Sequence, residues 1–220
     1  VWGGPNFPAD VDSQKVFFTK FPQVDIYVPI EGEIGFSNIV KQILALNSFD
    51  DLRKNIISES VPGCIIKSND GELHFTLALD RIESLDEIPS PYLTGILDEF
   101  FDGRLVPMIQ TNRGCPFSCT FCCDGSDSVN KINQFSVNRV DDELNYIAKH
   151  VPKNQHNLHI SDLNFGMYTR DIEVCDSINN IQKKYGYPHY VKITSGKNNP
   201  DRISKAIKKL GNSTYMSLSV

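Results

Sequence analysis

From Pro107 onward the chain alternates strand-like and helix-like segments, and few folds accept that rhythm. "PMIQTN" reads as a short strand. "RVDDELNYIAKH" (Arg139–His150) follows as a helix with Val140, Leu144, Ile147 and Ala148 on one face. "NLHISDLNF" is the next strand. "RDIEVCDSINNIQKKYG" (Arg170–Gly186) carries Ile172, Cys175, Ile178 and Ile181 at helical spacing, with Gly186 as its stop. "HYVKITSG" is a third strand. "PDRISKAIKKLG" has proline near its start and glycine at its end, the asymmetry of a helix. "TYMSLSV" is a fourth strand. Such alternation predicts an α/β fold with parallel strands and crossover helices.

The first 106 residues are less regular. "VWGGPNFPAD" reads as a strand end running into a Gly-Pro loop. Val24–Glu33 reads as a short buried strand with an acidic turn. Ile34, Phe36, Ile39, Val40, Ile43 and Leu44 then predict a helix over about 34–46. "GCIIKSNDGELHFTLAL" predicts a hairpin turning at Asn69-Asp70-Gly71. "DEIPSPYL" reads as an extended linker. The expected division is 1–46, a connector over 47–106, and 107–220. Val1 is no initiator methionine and the strands stop at four, so the chain reads as an internal piece of a longer protein.

The 220 residues carry 22 Lys and Arg against 27 Asp and Glu, a net charge of −5, so no global basic field invites nucleic acid or an anionic membrane. No apolar run approaches the roughly 20 residues that span a bilayer.

Four of the six cysteines fall within "TNRGCPFSCTFCCDG", at the C-terminal end of the first strand of the alternating series. Parallel α/β folds place their active sites at that edge. Cys115, Cys119, Cys122 and Cys123 are too close together for comfortable bridging, and Cys64 and Cys175 lie far off. Thiols crowded in this way point to a reducing, cytosolic compartment and to metal or catalysis. Cys115, Cys119 and Cys122 have the spacing C-x-x-x-C-x-x-C, which suits three corners of a cubane iron–sulfur cluster with the fourth iron left open. Cys123 reads as a bystander. Cys175 on an apolar helix face and Cys64 in a strand-like run read as core.

The motif "RGCPFSCTFCCDG" resembles that of the radical S-adenosylmethionine superfamily. That resemblance implies a partial (β/α)6 barrel and a [4Fe–4S] cluster on Cys115, Cys119 and Cys122. It further implies S-adenosylmethionine on the open iron, where one electron cleaves it to methionine and a 5′-deoxyadenosyl radical. Phe121 is implied to pack near the adenine. The second strand end usually contacts the methionine moiety through a Gly-Gly-Glu run. This chain offers Asp162 and Asn164 there instead, an acid and an amide suited to an ammonium or a ribose. A turn or cap role is the alternative for either residue. Ser195, with Thr194 and Lys197, ends the third strand, where these residues are candidates to touch cofactor or substrate or simply form a solvated turn around Gly196; Ser217 and Ser219 on the fourth strand are similar candidates. Arg113 is suited to steadying the loop or the cluster's charge, and His159 reads as a packed core residue.

"GGPNFP" followed by "VDIYVPIEGE" resembles the last part of the cobalamin-binding domain found upstream of many such barrels, with "IPSPYLTG" as the interdomain linker. Gly3 and Gly4 are then the pair that lets backbone approach the cofactor's nucleotide tail. The implied fold is the end of a Rossmann-like cobalamin-binding domain followed by the first half of the barrel. The implied chemistry is methyl transfer through cobalamin, or another radical rearrangement. A small-molecule substrate and a reductant such as flavodoxin or ferredoxin are the expected partners. A methylthiotransferase acting on transfer RNA shares the loop, but its upstream domain supplies three further cluster cysteines, and residues 1–106 hold only Cys64. An electron-transfer module wants a fourth cysteine, for which Cys123 is badly placed. Structural zinc wants a second ligand pair, and His150, His156, His159 and His189 are scattered.

Overall fold

The computed structural model describes residues 1–8, 10–46, 61–68, 70–120, 122, 124, 129–211 and 214–217. The chain divides into two compact units, the first of residues 1–82 together with Cys122, the second of residues 83–120 and 124–220.

In the first unit, β1 (Trp2–Gly4) runs parallel to β2 (Ile26–Pro29), which is antiparallel to β3 (Ile65–Lys67), itself antiparallel to β4 (Leu73–Phe75). The last pair is the expected hairpin; Asn69 of its turn lies outside the described residues. Helix α1 (Val11–Lys20) connects β1 to β2, and α2 (Gly32–Ala45) follows β2. β2 is an unbroken apolar run because both its faces are covered. Ile26 and Val28 pack with Ile39, Val61, Cys64 and Ile66 on one side. Tyr27 packs with Phe18, Val24, Ile65 and the Phe7 ring on the other. The sequence pattern misses α1, whose apolar residues Val11, Val16, Phe17 and Phe18 make a poor stripe. Its signal is the cap: the Asp10 carboxylate accepts from Ser13 N at 2.8 Å.

The second unit is built on a four-stranded parallel sheet. Its strands β5 (Met108–Ile109), β8 (Asn157–Ile160), β9 (Tyr190–Thr194) and β10 (Thr214–Ser217) lie side by side in chain order. Crossovers run through α3 (Val137–His150), α4 (Asp171–Tyr185) and α5 (Pro200–Leu210). Ser136 caps α3 by accepting from Arg139 N at 3.1 Å, Gly186 ends α4 at φ 69°, and Pro200 opens α5. Ile109, Leu158, Ile160, Val191 and Ile193 point from the sheet into one core with Val140, Leu144, Ile147, Val174, Ile178 and Ala206 from the helices. A short antiparallel ribbon, β6 (Asn112–Arg113) with β7 (Asn133–Gln134), branches off just after β5.

The stretch expected to connect two domains divides between the units. Residues 61–82 complete the first unit's sheet. "IPSPYLTG" is turn-rich and bonded into the second unit: Ile88 O accepts from Arg139, Ser90 Oγ donates to Glu143 at 2.6 Å, and Tyr92 OH exchanges hydrogen bonds with the Met108 backbone. Cys175 and Cys64 are core residues, and burial pushes their thiols up to about 12 and about 11. His159 differs from expectation. Its neighbours Leu158 and Ile160 enter the core, so the period of two turns His159 to the sheet's other face, where it is only partly covered. Burial and then Lys192 hold its imidazole below the ordinary value. Among the described residues no helix is long and apolar enough to cross a membrane.

Candidate functional site

The cysteine loop leaves the C-terminal edge of the parallel sheet. After β5 the chain enters β6, and the loop from Gly114 to Ile132 returns through β7. Gly114 closes its neck. Its φ is +109°, and a Cβ there would stand 2.3 Å from Lys131 O and 2.9 Å from Val129 O, so only glycine lets the two sides meet. Cys115 N donates to Val129 O at 3.2 Å across the same neck. Cys115 is buried, while Cys119 and Cys122 are half-buried. Among the described residues no three His, Cys, Asp or Glu side chains are gathered closely enough to hold a metal ion. Phe121 and Cys123 lie outside the described residues, as does Ser219. Arg113 donates to Gln110 Oε1 at 2.8 Å beside the loop's start.

Asp162 ties the loop to the sheet. Expected to meet an ammonium or a ribose, it instead accepts from Thr111 N at 2.6 Å, Asn112 N at 3.3 Å, Asn112 Nδ2 at 2.8 Å and the Thr111 hydroxyl. A carboxylate has about four lone-pair sites, and all four are taken. Its side chain is fully buried, and desolvation pushes its pKa up to about 6 against those donors. Arg170 adds a second tie, donating to Thr111 O at 3.0 Å and Phe135 O at 2.6 Å, one on each side of the ribbon. The sequence reading misses both roles, because each joins residues far apart in the chain.

Two strand-end residues reach the cysteines themselves. Asn164 Nδ2 donates to Cys115 Sγ at 3.3 Å, while its buried Oδ1 has no hydrogen-bond partner. Lys197 Nζ donates to Cys119 Sγ at 3.1 Å. Ser195 is buried and spends its hydroxyl on Gly196 O at 3.3 Å, while Thr194 O accepts from Phe165 N. Tyr168 stands behind the site with its hydroxyl buried and unpaired. Burial first, then Asp171, Cys115 and Asp162, push that phenol up to about 12, so it stays neutral. Asp171 receives Gly166 N and Tyr168 N at 2.8 and 2.9 Å and thereby fixes the turn that carries Asn164 and Tyr168.

Within the first unit, Gly3 and Gly4 end β1. A Cβ on Gly3 would meet Val28 O at 2.9 Å, and Gly4 has φ +121° with open space where a side chain would be. The adjoining strand end is also unusual, since Ile30 has φ 61°, a strained value for a β-branched residue. Beyond it lies a cavity of about 190 Å³ lined by Pro29, Ile30, Ile34, Cys64 and Leu79 among others. Glu31 borders it, paired with Arg81 at 3.1 Å and accepting from Ile82 N at 2.9 Å.

No family model matches the chain. It is 32% identical over 209 residues to the cobalamin-dependent radical SAM methyltransferase TokK of Streptomyces tokunonensis, covering 92% of this chain and 28% of that protein. The chain thus spans less than a third of this curated relative. Among solved structures, the cobalamin-dependent S-adenosylmethionine radical enzyme OxsB, with aqua-cobalamin and S-adenosylmethionine bound, superposes with a TM-score of 0.64. The identity is 19%, over 94% of this chain and 29% of that one. The radical S-adenosylmethionine methyltransferase TsrM from Kitasatospora setae, with cobalamin and a [4Fe–4S] cluster bound, gives 0.60 at 13% identity, over 98% of this chain and 40% of that one. The two structures share the α/β fold, and the sequence relative is an enzyme. Over most of its own length the chain is thus similar to a segment of a cobalamin-dependent radical S-adenosylmethionine methyltransferase.

Proposed function

We propose that the protein is a cobalamin-dependent radical S-adenosylmethionine enzyme, and that methyl transfer to a small-molecule substrate is its reaction. Residues 1–46 are read as the end of a Rossmann-like cobalamin-binding domain. Residues 61–82, which complete the first unit's sheet, are read with it, 83–106 as the connecting segment, and 107–220 as the first half of a partial (β/α)6 barrel. One observation carries the proposal. The C-x-x-x-C-x-x-C loop leaves the C-terminal edge of a parallel sheet and is held there by Asp162, with nitrogen donors already on two of its sulfurs.

The donor set fits a cubane cluster: sulfur ligands on one glycine-necked loop, each of two facing an N–H group suited to a thiolate. Cys115, Cys119 and Cys122 would hold three irons. When bound, the cluster supplies the electron that cleaves S-adenosylmethionine, and cobalamin serves as methyl carrier. The chain's own residues do the rest. Asp162 and Arg170 keep the loop at the sheet edge. Asn164 offers its unpartnered Oδ1 to the ammonium of the methionine moiety, one of the contacts expected of Asp162 and Asn164 together. A buried acceptor left unpaired costs roughly 1–3 kcal/mol, so its presence favours a partner that arrives with the ligand. Phe121 would meet the adenine, Ser195 would face the cofactor from the third strand end, and Gly3 with Gly4 would admit the cobalamin tail. The electron comes from a small redox protein such as flavodoxin or ferredoxin.

The test uses the parent protein, reconstituted anaerobically with iron and sulfide and then reduced. An electron paramagnetic resonance signal of a [4Fe–4S]⁺ cluster that changes on adding S-adenosylmethionine is the expected result. A signal indifferent to it points to an electron-transfer centre, and bound zinc without a cluster overturns the reading.

A further inference from the structure

The contacts to the two sulfurs differ in kind. Asn164 and Cys115 are both buried, at 2% and 7% exposure, and the donor is an uncharged amide. Lys197 is exposed, and its ammonium lies 3.1 Å from Cys119 Sγ and 5.7 Å from the centre of the Phe117 ring. The donors come from the ends of two different strands, β8 and β9, and converge on one loop. The Asn164 amide is turned so that its nitrogen faces sulfur and its oxygen is left without a partner. A neutral thiol has a weak S–H to give and gains little from that choice. A metal-bound sulfur has no proton and only accepts, so it demands the nitrogen.

We propose that Asn164 and Lys197 are positioning residues that raise the reduction potential of the cluster held by Cys115 and Cys119. The inference rests on the functional reading above and deepens it. Adding one electron places more negative charge on the cluster and its sulfurs. A donated N–H and a nearby cation stabilise that charge more than the oxidised state, so both shift the potential upward. Their environments separate them. Asn164 acts in a buried, low-dielectric place that salt does not reach. Lys197 acts at the surface, where added salt screens it.

The experiment is a redox titration of the reconstituted parent protein, without S-adenosylmethionine, followed by electron paramagnetic resonance. Asn164→Leu and Lys197→Met are each expected to lower the reduced-to-oxidised ratio at fixed potential about tenfold, about 59 mV for a one-electron couple. Lys197→Arg restores most of the loss. At 1 M salt the Lys197→Met difference shrinks and the Asn164→Leu difference persists. Iron and sulfide per chain stay at the wild-type level. Fully loaded variants with unchanged midpoints overturn the proposal, even if wild type responds to S-adenosylmethionine. A wild-type protein that takes no cluster overturns the functional reading as well. Should Asn164→Leu not fold, electron–nuclear double resonance on wild type with ¹⁵N-labelled asparagine replaces it. A ¹⁵N coupling to the reduced cluster supports the contact, and none refutes it.

Discussion

The two units finish their strand ends in opposite ways. In the parallel sheet, β5 and β8 end in side chains locked to one another: Asp162 with Thr111 and Asn112, and Asn164 with Cys115. In the first unit, β1 and β2 end in backbone conformations: Gly3 against Val28 O, Gly4 at φ +121°, and Ile30 at φ 61°. The first arrangement fixes a loop of ligands to a rigid edge. The second leaves bare backbone open for something to approach. A loop that grips atoms needs side-chain anchors, whereas a surface that admits a bulky group needs their absence.

The largest expected effect breaks the first arrangement. Gly114→Val puts a side chain into Lys131 O and Val129 O, so the loop neck opens and iron incorporation is lost. Iron assay after reconstitution checks it, and circular dichroism is expected to show the helices intact. Next is Asp162→Ala, which strands two buried backbone N–H groups on Thr111 and Asn112. At roughly 1–3 kcal/mol for each orphaned group, urea denaturation should show a loss of several kcal/mol. A wild-type urea midpoint in Asp162→Ala means the anchor is not needed.

Asp162 also gives the contrast a pH signature. Its folded value of about 6 lies above the ordinary 3.8, so the native state keeps a proton that the unfolded chain releases between those values. That contribution to stability is full below about pH 3.8 and is lost as the pH rises through about 6. Asp162→Asn lacks it. The stability of wild type relative to Asp162→Asn should therefore fall over that window and be flat above it, as followed by urea midpoints.

Two smaller effects sharpen the comparison from the other side. Gly4→Ala forces φ +121° on a residue with a Cβ, at about 1–3 kcal/mol. Iron incorporation should be untouched, while cobalamin binding, read from its visible spectrum, should weaken. Cys175→Ala removes a thiol that sees only the core, costs about 1 kcal/mol and leaves the iron content at the wild-type level. A drop in iron there means the core and loop thiols are not as separate as their surroundings imply.

Much of the second unit is legible in the sequence. The apolar positions of α3 and α4 recur at helical spacing, and proline and glycine punctuate α5, so local periodicity suffices. The hairpin of β3 and β4 was legible for the same reason. Helix α1 was not, because its stripe is short and half-formed and only Asp10 marks its start. His159 was misjudged since an imidazole inside a strand has no local signal for which face it takes. That depends on which neighbours enter the core.

Spacing along the chain by itself determined the cysteine triplet, the glycine pair and the order of strands and helices. These are short-range properties, carried by residues within a few positions of one another. Tertiary structure alone decided that Asp162 anchors the loop while Asn164 turns to Cys115 and Lys197 to Cys119. Those contacts join residues 51, 49 and 78 positions apart. Nothing in the chemistry of an aspartate or an asparagine says which partner it will meet. Only the lateral pairing of parallel strands brings their ends to one edge, and there the competition for donors and lone pairs assigns each side chain its role.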